Sequence, residues 1–337
     1  MKDIYALGIE SSCDETSMSI VKNGYEELAT VVLSQIDIHA AFGGVVPEVA
    51  SRSHVENITI VLDELLRKAN ISLDRIDIIG VTYGPGLIGS LLVGLQAAKT
   101  LSLVLHKPLI PVHHIAGHIY ANNSVRRLEF PLIALVVSGG HTDLVYMKED
   151  YSFERIGSTL DDAVGEAYDK VAKIMGLSYP GGPLIDKMAP LGNDTYNLPY
   201  PLDDDTYNFS FSGLKSAVLN LVNNEKMRGN LIRKEDLACS FQNRVATIIV
   251  KKTRKALLQY KVSNLVMAGG VAANKRLRSD LEELAKELGI NFSVPDFKYC
   301  TDNAYMIASA AYYAYKKNIV ADLSLNAKAV DSLYDYK

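Results

Sequence analysis

The sequence of 337 residues contains only three cysteines and has no basic surplus. Cys13, Cys239 and Cys300 are far apart and form no C-x-x-C pair, so we expect no disulfide framework and a reducing, cytoplasmic location. The formal net charge is -4, whereas proteins that coat nucleic acid without regard to sequence need excess cations to displace phosphate counterions. Any nucleic acid is therefore expected to bind at a local basic patch or with the help of a partner protein.

The sequence also lacks an evident targeting segment. The opening stretch "MKDIYALGIESS" has acidic residues at positions 3 and 10 and only a short apolar run, unlike a signal or transit peptide. Residues 87–105, "LIGSLLVGLQAAKTLSLVL", are long enough to span a membrane, but Gln96 and Lys99 lie inside the run. We expect a buried amphipathic helix of a soluble domain there, and no contact with a membrane.

Two common nucleotide-binding motifs are missing as well. The sequence has no P-loop and no G-x-G-x-x-G fingerprint after a predicted strand, which disfavours the usual NTPase and Rossmann folds. Three other turns, at residues 8–17, 136–144 and 267–277, follow predicted strands and are rich in glycine or hydroxyl groups. Backbone N–H groups approach anionic oxygens closely at such turns, so together they favour a nucleotide ligand.

The spacing of apolar residues predicts one order of elements twice. Residues 1–128 are predicted to fold in the order βββαβαβ, and residues 129–337 repeat βββαβα with an insertion at about 176–235. The pattern leaves open whether the last helix returns to pack in the first lobe. The repeat predicts an α/β protein of two similar lobes with a ligand-binding cleft between them.

Three of the seven histidines occur in "PVHHIAGHIYA", residues 111–121. On a helix, His114 and His118 would be at positions i and i+4 on one face, where two imidazoles can share a metal ion. The alternative is that these histidines are half-buried or cap the helix. A metalloprotease of the H-E-x-x-H type is disfavoured, because Ile115 and Ala116 occupy the place of the glutamate base.

Seven motifs in order resemble one known family over essentially the whole chain: "GIESSCDETS", "HHIAGH", "VVSGGHT", "YPGGPLID", "FSGLKSA", "MAGGVAANKRLR" and "CTDNAYMIA". This is the TsaD family, the bacterial branch of proteins once described as O-sialoglycoprotein endopeptidases. The resemblance implies the duplicated actin-like fold (ASKHA, ribonuclease H-like). It also implies transfer of a threonylcarbamoyl group from threonylcarbamoyl-AMP to N6 of adenosine 37, in tRNAs that read codons beginning with A.

The resemblance further implies a divalent metal held by His114, His118 and Asp302, with His113 not a ligand. Iron is preferred and zinc stays open, and two imidazoles with one carboxylate leave coordination positions free for a substrate. No general base is assigned; Glu10 and Asp14 are candidates. Cys13 and Cys300 are expected to be packing residues rather than nucleophiles.

For the AMP portion of the donor, the resemblance implies contacts with nine residues: Val137, Ser138, Gly139, Gly140, His141, Asp169, Gly182, Asp186 and Asn274. The alternative for the aspartates is ordinary surface charge. Implied partners are tRNA, the shorter paralogue TsaB, docking on an apolar helix of the first lobe, and the ATPase TsaE. Candidate basic patches for tRNA are residues 126–127, 251–255 and 275–278. Two other functions stay open: an ATP-binding regulatory or chaperone-like module with structural histidines, and a metallopeptidase.

Overall fold

The structure is a computed structural model that describes residues 2–335, and the chain divides into two compact units. The first unit comprises Met1–Leu128, Glu149–Phe153 and Pro295–Lys337. The second comprises Glu129–Lys148 and Glu154–Val294. The C-terminal part of the chain is therefore built into the first unit.

The helices and strands follow the predicted order closely. The first half contains β1 (Tyr5–Glu10), β2 (Glu15–Lys22), β3 (Glu26–Ser34), α1 (Ile36–Ala40), α2 (Pro47–Ala69), β4 (Ile78–Gly84), α3 (Ile88–Leu105), β5 (Leu109–His113) and α4 (His114–Tyr120). The second half contains β6 (Leu132–Val137), β7 (Thr142–Met147), β8 (Glu154–Ser158), α5 (Val164–Ile174), α6 (Gly181–Met188), α7 (Ser212–Met227), α8 (Lys234–Tyr260), β9 (Asn264–Ala268), α9 (Lys275–Leu288), β10 (Asn291–Ser293) and α10 (Ala304–Lys316).

Each unit has a five-stranded sheet, and the two sheets have the same topology. The strand order is β3-β2-β1-β4-β5 in the first unit and β8-β7-β6-β9-β10 in the second. The first three strands of each unit form an antiparallel meander, and the last two run parallel to the first strand. The predicted duplicated α/β fold is thus confirmed, while the cleft between the lobes stays a prediction.

The core of the first unit explains why its strands are almost continuously apolar. Leu7 and Ile9 of β1 and Val81 of β4 are fully buried or nearly so. Helices α2 and α3 pack on the sheet, and so does α10, which contacts β1, β4 and β5. A sheet covered on both faces requires apolar residues at successive positions rather than in alternation.

Two helices lie within the predicted insertion at about 176–235, for which the sequence pattern predicted no particular element. Helix α6 follows Pro180 and contains Pro183 near its start, and α7 begins at Ser212. Proline is tolerated in the first turn, where backbone N–H groups have no intrahelical partner. The same rule accommodates Pro47, the first residue of α2.

Helix α3 is long and apolar enough to cross a membrane by length and composition, with a mean hydropathy of 1.6. It packs on the sheet through Leu91, Leu95 and Ala98, which are completely buried. Its exposed residues are both apolar and polar, since Leu103 and Val104 are exposed and so are Gln96 and Thr100. The helix is therefore buried on one side only, and its outer side mixes polar and apolar residues.

Candidate metal centre and nucleotide pocket

The histidine motif spans the junction between β5 and α4. His113 ends the strand, and its Nδ1 accepts a hydrogen bond from the backbone N–H of Ile115 at 3.2 Å, so that it caps the helix. Burial lowers the pKa of His113 to about 4, which keeps the ring neutral and able to accept this bond. His113 thus acts as a helix cap, the structural role proposed for it from the sequence.

His114 and His118 lie one turn apart on α4, with ring centroids separated by 4.6 Å. Asp302, immediately before α10, places its Oδ1 at 3.4 Å from His114 Nε2 and 3.2 Å from His118 Nε2. One ligand atom from each residue can be chosen so that all lie within 4.8 Å of one another. Ligands about 2.1 Å from a tetrahedral metal lie about 3.4 Å apart, so the geometry fits a first-row divalent ion.

The electrostatics of this cluster favour positive charge between the three side chains. Burial alone would lower the pKa of His114, but the carboxylates of Asp302 and Glu10 outweigh it and raise this pKa well above its usual value. Although burial opposes ionisation, His114 and His118 hold the pKa of Asp302 far below its usual range. A divalent cation would supply the same positive charge.

Glu10 and Asp14, the two candidate bases, lie at either end of the turn after β1. The Glu10 carboxylate is fully buried and accepts hydrogen bonds from the Thr82 hydroxyl and the Ser12 backbone N–H, both at 2.6 Å. Asp14 is partly exposed. Because it is fully buried and each of its oxygens already accepts a hydrogen bond, Glu10 is poorly placed to take a proton from a substrate.

Glu15, which the sequence analysis missed, is the more unusual carboxyl group of this turn. Burial raises the pKa of Glu15 to about 9, and the nearby charges of Asp302 and Asp14 add to the shift. Burial also raises the pKa of the Cys13 thiol, which supports its interpretation as a packing residue. The signal for Glu15 was its position between a polar turn and a buried strand, but its burial depends on the fold.

The second unit contains a cavity of about 580 Å³ beside α5, α6 and the turn after β9. Five of the nine residues predicted to contact AMP line it: Gly139, Asp169, Gly182, Asp186 and Asn274. The other four do not. Val137 is completely buried in β6, and Ser138, Gly140 and His141 form a turn in which Ser138 Oγ accepts a hydrogen bond from His141 N at 3.0 Å.

The two carboxylates of the cavity have different surroundings. Asp169 Oδ1 accepts a hydrogen bond from Gly181 N at 2.7 Å and so holds the start of α6. Asp186 Oδ2 accepts one from Lys275 N at 3.3 Å, whereas its Oδ1 is buried without a partner among residues 2–335. Asp186 therefore has an acceptor oxygen available for a ligand hydroxyl group, whereas the hydrogen bond of Asp169 stabilises the start of α6.

The candidate basic patches differ in how far their charge is neutralised. In residues 251–255, four cations pair with carboxylates, as Lys251, Lys252, Lys255 and Arg254 contact Asp203, Asp204, Asp205 and Glu287. In residues 275–278, Arg276 pairs with Asp280 and Lys275 lines the cavity. At 126–127, the Arg127 guanidinium lies 3.7 Å from the centre of the Tyr25 ring. The 251–255 patch is thus the least suited to RNA phosphates.

Comparison with known proteins settles the family. The sequence model of TsaD, described as tRNA N6-adenosine threonylcarbamoyltransferase, matches residues 26–309. A protein of that name from Staphylococcus saprophyticus is 58% identical over 95% of this chain and 94% of its own length. Its namesake from Bacillus subtilis is 56% identical over 100% of this chain and 98% of its own length. The chain belongs to the TsaD family.

More distant solved structures support the fold alone. The chain is similar to T. kodakarensis HypF, with a TM-score of 0.63 at 14% identity, over 96% of this chain and 49% of that one. It is also similar to component A of the Acidaminococcus fermentans (R)-2-hydroxyglutaryl-CoA dehydratase, with a TM-score of 0.55 at 17% identity, over 93% and 98%. The predictions of the TsaD family, the actin-like fold and a transferase are confirmed. The metal, its identity and the individual site residues stay predictions.

Proposed function

We propose that this chain transfers a threonylcarbamoyl group from threonylcarbamoyl-AMP to N6 of adenosine 37 in tRNAs reading codons that begin with A. The observation that carries this proposal is the match to threonylcarbamoyltransferases along nearly the whole chain. The donor has two chemically distinct halves, and the chain has a site suited to each. The glycine-lined cavity suits the anionic nucleotide, and a metal ion held by the two histidines and the aspartate suits the oxygen-rich threonyl end.

In the cavity, Asp186 would accept a hydrogen bond from a ribose hydroxyl, which would satisfy its otherwise unpaired Oδ1. Open space at Gly139 and Gly270 leaves room for a ring or a phosphate close to the backbone. We further propose that Val137, Ser138, Gly140 and His141 act through the backbone of their turn, and that Asn274 shapes the wall. Its side chain caps α9 and lies 3.2 Å from Gln242.

A divalent metal held by His114, His118 and Asp302, iron in preference to zinc, would supply Lewis-acid binding and orientation of the threonyl oxygens. The reaction forms a bond from adenosine N6 to the carbamoyl carbon and breaks the bond from that carbon to the phosphate oxygen. The electron pair leaves with AMP, and N6 releases one proton. Since AMP is an activated leaving group, the chain's main contribution is positioning and charge stabilisation.

We propose that a TsaB-like paralogue docks on the outer side of α2 and α3. These helices form an apolar groove of about 560 Å³ whose walls include Val55, Ile58, Leu92, Val93 and Ala97.

For tRNA, the residues at 126–127 and 275–278 are the better candidate contacts, with a TsaE-like ATPase as a further partner. The three cysteines are free, as expected for a protein of the cytoplasm.

Mass spectrometry of tRNA tests the function directly. We expect threonylcarbamoyladenosine after incubation of this protein and its helper proteins with an unmodified tRNA, threonine, bicarbonate and ATP. His118→Ala is expected to abolish the product while the variant stays folded. A regulatory ATP-binding module would retain nucleotide affinity in His118→Ala and yield no product in either protein, and a metallopeptidase would cleave a sialoglycoprotein. Absence of product with helpers of proven activity would refute the proposal.

A further inference from the structure

A buried chain of hydrogen bonds links two neighbouring strands of the first unit to one of the proposed metal ligands. Glu10 ends β1, and Thr82 lies on the adjacent parallel strand β4, whose Val81 pairs with Ile9. The Thr82 hydroxyl donates to Glu10 Oε2 at 2.6 Å, and the same oxygen lies 3.2 Å from His114 Nδ1. Glu10 is completely buried and Thr82 is 1% exposed, so water does not compete for these bonds.

The second oxygen of Glu10 is also occupied. Oε1 accepts the backbone N–H of Ser12 at 2.6 Å, within the turn that follows β1. A buried carboxylate with both oxygens held in this way cannot rotate without breaking a bond to Thr82 or to Ser12. His114 Nδ1 lies 3.2 Å from Glu10 Oε2 and also 3.2 Å from the Ser12 hydroxyl oxygen. An ionised carboxylate only accepts hydrogen bonds whereas a hydroxyl can also accept, so a neutral His114 that bonds to Glu10 carries its proton on Nδ1. When a metal ion displaces the proton of Nε2, that nitrogen presents its lone pair on the side of Asp302 and His118.

We propose that Glu10, held in place by Thr82, is a positioning residue that fixes the tautomer and the ring orientation of His114 and thereby sets the affinity of the site for its metal. Glu10 acts through His114 and does not touch the substrate. This inference rests on the proposed function only in taking His114 as a ligand. It assigns to Thr82 a functional role that its place in a buried strand would not indicate.

The arrangement has a clear physical effect on a metal site. A carboxylate that accepts the N–H of a ligating histidine orients the ring and makes the other nitrogen a stronger donor, and losing such a partner typically weakens metal affinity about 10- to 100-fold. His118 offers an internal contrast. Its Nδ1 is buried without a hydrogen-bond partner among residues 2–335. Apart from the contact of its Nε2 with Asp302, the orientation of His118 therefore depends on packing, and His114 is the imidazole whose orientation this network controls.

The test measures binding of Co²⁺ alone to the full chain, with its visible absorption spectrum as a report on ligand geometry. Thr82→Val keeps the shape of the side chain and replaces the hydroxyl with a methyl group. Glu10→Gln removes the negative charge of the carboxylate. We expect each variant to bind Co²⁺ about 10- to 100-fold more weakly with an altered spectrum, and Glu10→Gln to have the larger effect. Thr253→Val is the matched control, because the Thr253 hydroxyl is buried in the second unit and has no hydrogen-bond partner in the described part of the chain.

Equal affinity and an unchanged spectrum in Thr82→Val and Glu10→Gln would overturn the proposal. Weaker binding in Thr253→Val by the same factor would overturn it too, since the effect would then follow from any loss of a buried hydroxyl. If the unaltered protein and His118→Ala bound Co²⁺ equally, the metal site itself would fail and the inference with it. If Co²⁺ binding followed the expected pattern but no modified tRNA formed, the inference would stand and the proposed function would fall.

Discussion

Replacing Gly8 with alanine should disturb the proposed metal site, although Gly8 is not one of its ligands. Gly8 lies in the middle of β1, directly beneath α10. A Cβ atom there would lie 2.4 Å from the carbonyl oxygen of Ala304 and 2.5 Å from the backbone nitrogen of Ala308. Carbon–oxygen contacts begin at about 3.3 Å, so the start of α10 would have to move outward by about 1 Å. Asp302 is two residues before that point and would move with it.

Two effects of Gly8→Ala are expected. Forced overpacking of this kind destabilises a core by about 1–3 kcal/mol, which urea unfolding followed by circular dichroism would measure. Metal ligands need to be held within about 0.5 Å, so we also expect Co²⁺ affinity to fall by about 10-fold or more. Gly213→Ala is the control, since a Cβ there meets nothing within 4 Å, and alanine in a helix should be neutral or mildly stabilising. Wild-type stability and affinity in Gly8→Ala would refute the reasoning.

Three further predictions follow from other parts of the chain. Ala97→Asp should weaken binding of the paralogue, measured by size-exclusion chromatography, by at least about 10-fold because it buries a charge in the apolar groove, whereas Leu258→Asp, exposed elsewhere, should not. Asp186→Ala should weaken AMP binding in calorimetry by about 10-fold through loss of a charged acceptor, and equal affinity would remove Asp186 from the site. Asp204→Asn tests linkage: hydrogen bonds from Lys252 and Thr206 lower the pKa of Asp204 to about 2. The unfolded chain therefore binds the extra proton between about pH 4 and 2, so the stability advantage over Asp204→Asn should be complete above about pH 5 and shrink as the pH falls through this window. A difference in urea midpoint that does not change with pH would contradict this assignment.

Most of the fold could be predicted from the regular spacing of apolar residues in the sequence. The strands of both meanders and the helix α2 were predicted because apolar residues recur with the period of each element. Helix α6 was missed because its first turn, with Gly181, Gly182 and Pro183, is composed of residues typical of loops. Its stability comes from outside the helix, since the Asp169 carboxylate accepts the N–H of Gly181. Local sequence cannot show a cap that comes from a different helix.

In the candidate sites, too, some residues were evident from the local sequence and others depend on the tertiary structure. The spacing of His114 and His118 on one helix face was evident from the sequence, but Asp302 is 184 residues beyond His118 and came only from the family resemblance. Glu15 was overlooked because a charged residue at the start of a strand is normally exposed. Its high pKa arises from burial and from Asp302 and Asp14 together, so it depends on tertiary structure. The role inferred for Thr82 likewise depends on the register of β1 against β4.

The duplicated topology explains how one fold can supply the two different kinds of site that we propose. In the first unit, the parallel strands β1, β4 and β5 end at Glu10, just beyond Thr82 and at His113. In the second unit, the equivalent strands β6 and β9 end at Val137 and Ala268, beside glycine-rich turns. The carboxyl ends of parallel strands lie at one edge of a sheet, which is where such folds bind ligands. We propose that carboxylate, hydroxyl and imidazole groups at that edge orient a metal ligand in the first unit, whereas glycines leave room for a nucleotide in the second, so that the residues after the strands decide the chemistry of each unit.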